Sequence, residues 1–330
     1  MFRNILPDGT LLDNETYRIE YPLGKGGFGI TYFAHDLHLD RAVAIKEFFP
    51  EALVARDIHG KLIAADNRRK QFDRAVRRFY EEGRVLAKIN HQGVVRVYRL
   101  FRAHDTVYLV MEFLEGQTLR DMLNALPLGK MSLEQTRALC YPLINALETI
   151  HRQSVYHLDL KPENIQIAAD LRPVLIDFGS ARRGSHVDTY VTYSEAYAPP
   201  ELIENNEVGP ESDWYQLGVV LFELITGKTP PNALGRRAGI TWSPHALDEP
   251  WRTLVDRCLC LEQRNRPHSA REVIAILEDP VKFTVKPDVI AHDIPKPPPS
   301  KDRLEEPPWY LQPDIVDEEE EPPWYLDPLD

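Results

Sequence analysis

The sequence predicts an α+β chain with a small strand-rich lobe, a larger helical lobe and a tail that does not fold. Three observations predict it. Alternating apolar residues and glycines fill the front of the chain, the pattern of half-buried strands joined by turns. Behind Gly116 the apolar spacing changes to threes and fours over 118–125, 132–152, 212–226, 250–260 and 269–278, the signature of amphipathic helices. The composition then breaks near residue 280: Val281 to Asp330 holds 11 prolines, 13 acidic and 5 basic residues. That segment carries −8 of the net charge of −12 and has too little apolar surface to offset its ordering entropy.

The boundaries follow: a lead-in at 1–16, a folded region at 17–280 and a disordered acidic tail at 281–330. Within the folded region a front lobe covers 17–111, a connection 112–116 and a rear lobe 117–280. Tyr17 to Leu23 alternates like a strand, and Ile30 to Ala34 and Ala42 to Lys46 read as two more. Phe72, Val76, Phe79, Val85, Leu86 and Ile89 share one face of a helix over 68–90. Val107 to Met111 is a short strand ahead of the connection. The basic run Arg68-Arg69-Lys70 reads as a solvated helix start.

With 330 residues, 43 % of them hydrophobic, the chain can bury a substantial core. Net charge −12 argues against unspecific binding to nucleic acid or anionic membranes. Cys140, Cys258 and Cys260 lack metal-ligand spacing, which points to a reducing compartment, and Cys258 and Cys260 read as buried helix residues. No apolar run approaches the ~20 residues of a membrane span, and Met1 to Thr10 lacks a signal pattern. The expected location is cytoplasmic.

Gly24-Lys-Gly-Gly-Phe-Gly29 fits G-x-G-x-x-G. A dinucleotide-dependent oxidoreductase would start a helix inside the glycines, whereas Ile30-Thr31-Tyr32-Phe33 starts a strand. A strand–glycine loop–strand hairpin can lay backbone N–H groups over phosphates, with Phe28 at its tip. Ala44 and Lys46 share one face of the next strand, so Ala44 can press on a base while Lys46 reaches phosphates. A cleft lysine needs a carboxylate. Glu82 lies on the apolar face of the 68–90 helix and is the candidate; Glu81 points about 100° away and is the runner-up.

His157-Leu-Asp-Leu-Lys-Pro-Glu-Asn164 is the strongest signal. Asp159 can orient a hydroxyl and accept its proton, Lys161 can neutralise a moving phosphoryl group, and the Asn164 oxygen suits a hard cation. Asp177-Phe-Gly179 follows thirteen residues after Asn164 and can supply a second ligand to that metal.

Taken together, these motifs resemble the eukaryotic-type serine/threonine protein kinases found in bacteria, over roughly residues 15–280. The resemblance implies a two-lobed protein-kinase-like fold with a small antiparallel sheet lobe. It implies an ATP- and Mg²⁺-dependent phosphotransferase (Mn²⁺ as alternative metal) acting on Ser and Thr of protein substrates. The nucleotide site it implies comprises Leu23, Gly24, Lys25, Gly26, Gly27, Phe28, Gly29, Ile30, Thr31, Ala44, Lys46, Met111, Glu112, Leu114 and Gln166. Met111 would back the base, and backbone groups of Glu112 and Leu114 would bond its edge. Lys46, Glu82, Asp159 and Lys161 take catalytic roles, and Asn164 and Asp177 hold the metal. His157 and Phe178 would pack behind the site. Ser194 stands beside Asp159 where the family usually has threonine, Glu201 would pair with Arg266, and Asp213 would hold the catalytic loop from below. Glu163 hints at a preference for basic residues near the acceptor.

Three positions depart from the family pattern. Leu158 replaces the arginine that reads a phosphate on the activation segment, so phosphorylation of Ser185, Thr189 or Thr192 is expected to matter little. Gln166 puts a polar group on the adenine floor, and Thr31 replaces valine on the roof. In the tail, Glu305-Glu-Pro-Pro-Trp-Tyr-Leu311 recurs as Glu320-Glu-Pro-Pro-Trp-Tyr-Leu326, a period of 15 residues. Aromatic side chains on an extended prolyl backbone suit docking, so Trp309, Tyr310, Trp324 and Tyr325 are the candidate contacts to a partner or to the kinase domain itself. A kinase-like scaffold that works only through these motifs is the rival reading.

Overall fold

The computed structural model describes residues 4–27, 29–180, 182–183 and 193–283. Phe28, Ser185, Thr189, Thr192 and the tail aromatics Trp309, Tyr310, Trp324 and Tyr325 lie outside them. The described residues belong to one compact unit, Met1–Lys286.

The front lobe is a six-stranded antiparallel sheet in the order β1-β2-β3-β4-β8-β7. Its strands are β1 (Leu11–Leu12), β2 (Tyr17–Lys25), β3 (Gly29–Asp36), β4 (Arg41–Phe48), β7 (Val97–Ala103) and β8 (Thr106–Glu112). A small hairpin, β5 (Val54–Arg56) and β6 (Leu62–Ala64), is inserted after β4, and helix α1 (Arg69–Leu86) packs on β7 and β8. Phe72, Val76, Phe79 and Leu86 of α1 are buried, as their spacing requires. Strand β7 went unforeseen because Arg99 and Arg102 interrupt its apolar pattern. The lead-in also belongs to this lobe: Leu6 and Leu12 are buried, and β1 pairs with β2.

A buried polar network welds these pieces together behind β4. Glu47, next to Lys46 and fully buried, accepts hydrogen bonds from Tyr32 Oη (2.9 Å) and Tyr108 Oη (2.8 Å). Arg56 of β5 pairs with the same carboxylate. Arg56 also donates to the carbonyls of Asn4 (3.0 Å) and Gly60 (2.7 Å), and Tyr32 Oη accepts the Leu6 N–H at 3.1 Å. A buried carboxylate is tolerated only when so satisfied. Arg68 closes the insert onto the start of α1 by donating to the Ala52 carbonyl, and the rest of the basic run stays exposed.

The rear lobe comprises α2 (Leu119–Ala125), α3 (Leu133–His151), α4 (Pro200–Ile203), α5 (Pro210–Thr226), α6 (Ala233–Arg237), α7 (Trp251–Cys258) and α8 (Ala270–Glu278). Short strands β9 (Gly116–Thr118), β11 (Ile165–Ala168) and β12 (Pro173–Leu175) form a second sheet, and β10 (Val155–Tyr156) pairs with β13 (Arg182–Arg183). Ser132 and Gln135 form a reciprocal capping box that starts α3. Helix α5 is buried from Ser212 to Leu224 and packs on α3 and α7. Cys258 is buried in α7, whereas Cys260 follows the helix and is half buried, so the expectation of two helical cysteines fails for the second.

Candidate active site

Strand β4 presents Lys46 between Thr31 of β3 and Leu109 of β8, with Ala44 level with Phe33 and Met111. Gly29 must be glycine: an added Cβ would lie 2.5 Å from the Glu47 carbonyl. Lys25, at the end of β2, bonds Glu51 at 2.7 Å, tying the glycine loop to the segment after β4. Leu23 is exposed, Ile30 is buried and Thr31 is half buried, on the strands that flank the loop.

Lys46 forms an ion pair with Asp177. Glu82 lines the same small cavity as Lys46, Phe79, Met111 and Phe178. Glu81 points outward and pairs with Arg84 at 3.4 Å. Burial alone would raise the Asp177 carboxyl; the Lys46 ammonium and the Gly179 N–H (3.0 Å) override it and hold it at about 2. Gly179 leaves room for this pair, because a Cβ there would come within 2.6 Å of Lys46 Nζ.

The loop from His157 to Asn164 brings Asp159, Lys161 and Asn164 together, and Ser194 joins them from a later segment. Asn164 Nδ2 donates at 2.8 Å to both the carbonyl and the Oδ2 of Asp159. Lys161 Nζ lies 2.9 Å from Asp159 Oδ2 and donates to Ser194 Oγ at 2.7 Å. Ser194 Oγ in turn donates to Asp159 Oδ1 at 3.1 Å. The Asn164 amide is thus turned so that its Oδ1 is left for another ligand, and Asp177 keeps Oδ2 among the described residues. Two hard oxygens, one neutral and one anionic, fit Mg²⁺, which takes few protein ligands beside phosphates.

Support comes from beneath. Asp213 of α5 is fully buried and accepts the backbone N–H of His157 (2.9 Å) and Leu158 (2.8 Å), and His151 Nε2 lies 2.7 Å from it. Gln216, one turn along, accepts the Leu160 N–H and donates to the Leu158 carbonyl, each at 2.9 Å. Sequence reasoning missed Gln216; its position three residues after Asp213 on one helix face was the available signal. His157 is buried, bonds the Ile176 carbonyl at 3.1 Å and packs on Phe178 at a ring separation of 4.8 Å.

Arg266 and Glu201 meet in a buried two-pronged ion pair of 2.7 and 2.9 Å. The other Arg266 donors go to the carbonyls of Cys260, Glu211 and Leu261, and Ser212 adds a bond to Glu201. At the connection between lobes, Glu112 ends β8, and Gln166 Nε2 donates to the Leu114 carbonyl at 3.3 Å. Leu158 packs with Ala198, Leu202 and Val208. No helix among the described residues is long and apolar enough to cross a membrane.

A two-lobed fold with this lysine, this loop and this aspartate defines a phosphotransferase class. The family model described as "Protein kinase domain" matches residues 17–276. The chain is 33 % identical over 227 residues to serine/threonine-protein kinase PknL of Mycobacterium tuberculosis, covering 68 % of this chain and 52 % of that protein. It is 32 % identical over 294 residues to serine/threonine-protein kinase pkn2 of Myxococcus xanthus, covering 82 % of this chain and 33 % of that one. The solved structure described as "PpkA-294 apo form" superposes with a TM-score of 0.72 at 33 % identity, over 83 % of this chain and 99 % of that one. The chain belongs to the protein kinase family, among the eukaryotic-type serine/threonine kinases of bacteria. It spans about half or less of the length of these two curated relatives.

Proposed function

We infer that this domain uses ATP and Mg²⁺ to phosphorylate Ser and Thr hydroxyls of protein substrates. The observation that supports it most is the cluster of Asp159, Lys161, Asn164 and Ser194, with the Lys46–Asp177 pair beside it. Asp159 orients the acceptor hydroxyl and takes its proton as the new O–P bond forms and the bond to ADP breaks. Lys161 offsets negative charge on the moving phosphoryl group, and Lys46 grips the phosphates that stay with ADP. With Asp177 engaged by a metal, Glu82, which lines the same cavity as Lys46, would be the carboxylate placed to pair with it. Asn164 and Asp177 would hold Mg²⁺, or Mn²⁺, whose charge neutralises the phosphates. Met111, Glu112 and Leu114 frame the base, and Gln166 sits below.

We further infer little dependence on activation-segment phosphorylation. The apolar packing of Leu158 on Ala198, Leu202 and Val208 joins the catalytic loop to the segment that follows, where a phosphate reader would otherwise be needed.

Label transfer from ATP to serine/threonine substrates tests both. Wild type is expected to transfer label, and Asp159→Asn and Lys46→Met to lose at least about a hundredfold. A variant with alanine at Ser185, Thr189 and Thr192 is expected to stay within about threefold of wild type, since no charged reader is lost. Transfer undiminished in Asp159→Asn would overturn the mechanism, and collapse of the triple variant would overturn the independence.

A further inference from the structure

Arg120 has no part in the chemistry above, yet it anchors a polar network at the rim of the catalytic loop. It leaves the first turn of α2, which the Thr118–Asp121 capping box fixes. Its Nε donates to Glu163 Oε1 at 2.7 Å, and one terminal nitrogen to Glu223 Oε1 at 2.7 Å. The other terminal nitrogen donates to Tyr197 Oη at 2.8 Å and reaches Glu223 Oε2 at 3.4 Å, and Tyr197 Oη donates to that same oxygen. Glu223 and Tyr197 are buried, while the Glu163 side chain is 45 % exposed and that of Arg120 26 %. The Glu223–Tyr197 end of the network is buried and the Glu163 end is exposed.

Its place relative to the acceptor follows from the chain. Glu163 is four residues beyond Asp159, a reach of at most about 14 Å. An extended peptide advances about 3.3 Å per residue, so this rim faces substrate residues within about four positions of the acceptor. Tyr197 is anchored nearby, since its N–H donates to the carbonyl of Ser194, whose side chain bonds Asp159. Two carboxylates converging here demand a cation, because a buried Glu223 left unpaired is costly. An arginine fork meets both carboxylates at once through separate, rigidly placed donors, whereas an ammonium offers a compact point charge on a flexible stem. In this chain the fork is built in.

On the serine/threonine kinase reading, we propose that Arg120 fills the position a basic substrate residue would otherwise take. It thereby acts as a specificity-determining residue that frees the enzyme from needing arginine or lysine beside the acceptor. The substrate class is serine- or threonine-bearing segments without an adjacent basic residue. This reverses the hint drawn from Glu163 alone. The Glu163 side chain is still partly exposed, so its pull on a peptide cation is weak and screened.

The test compares two peptides differing only at positions flanking the serine, arginine in one and norleucine in the other. The readout is the ratio of their kcat/KM values within each protein, so a general loss of activity cancels. Wild type is expected to give a ratio within about threefold of one, because an exposed pair contributes little. Arg120→Met should raise it by at least about tenfold, the effect of a charged hydrogen bond to a freed carboxylate. Adding Glu163→Gln to Arg120→Met should bring the ratio back down. Should Arg120→Met not fold, Arg120→Lys carries the same test with a smaller expected rise. A wild-type ratio already near ten, or no rise in a folded Arg120 variant, overturns the proposal. Direct binding of both peptides without nucleotide reads the same ratios independently of transfer, so a failed kinase assay does not decide the matter.

Discussion

Both lobes set one fully buried carboxylate behind a working residue, but they satisfy it in opposite ways. In the rear lobe Asp213 accepts two backbone N–H groups from the very loop that carries Asp159. In the front lobe Glu47, adjacent to Lys46, accepts side chains from three separate segments: Tyr32 of β3, Tyr108 of β8 and Arg56 of the inserted hairpin. The first arrangement fixes a backbone, and so the position of the Asp159 carboxylate. The second fixes a neighbourhood, and so the assembly of a lobe. Loss of the rear carboxylate should therefore damage activity and stability together, while loss at the front should fall mainly on stability.

Asp213→Ala breaks the comparison most severely. It leaves two backbone donors buried without partners, at about 1–3 kcal/mol each. The expected result is a loss of about 4 kcal/mol in denaturant unfolding, and a kcat for phosphoryl transfer that falls further than stability explains, read on the folded fraction. A variant that keeps its wild-type kcat would show that α5 does not position the loop. Arg56→Met comes next. It strands the Glu47 charge in the sheet, with an expected loss of about 3 kcal/mol. Adding Glu47→Gln should recover at least about 1 kcal/mol, because the amide no longer needs a cation. No recovery in the double variant would mean that Arg56 acts through its cation–π contact with Phe49 or its carbonyl bonds instead.

The same contrast explains what was legible in the sequence. Asp213, Glu201 and Arg266 followed from the family resemblance, and the backbone bonds that Asp213 accepts come from one loop. The strands and helices were read from periodicity, with ends up to four residues off, because capping by Thr118 or Ser132 is decided by a single side chain. Glu47 carried no such signal. Beside Lys46 it alternates onto the far face of β4, and nothing near it in sequence says that tyrosines 15 residues before and 61 residues after will close over it. The insert read as a solvated helix start for the same reason: Arg68 and its neighbours are indeed exposed, but Arg56 was not seen as buried. Arg120 was overlooked because its partners lie 43 and 103 residues away.

The finest distinction between the two buried carboxylates is their response to alkali, because phenols bond Glu47 whereas backbone N–H groups bond Asp213. Burial raises the phenols of Tyr32 and Tyr108 above the usual 10.0, and the adjacent Glu47 carboxylate raises them further. In the unfolded chain both ionise near pH 10, whereas in the fold they stay protonated. The folded state then holds more protons, so stability falls as pH climbs through 10, by about 1.4 kcal/mol per pH unit for each tyrosine. Below pH 9 the same pair adds no pH dependence. Tyr108→Phe should remove one such increment from the slope between pH 10 and 11.5, while costing about 1 kcal/mol at pH 7 through the lost bond to Glu47. Unfolding followed against pH, with a probe in the front lobe, reads both numbers. An unchanged slope would place the alkali sensitivity with the other buried phenols, Tyr197 and Tyr215 of the rear lobe, whose pKa values burial also raises, and would remove the front carboxylate from that difference.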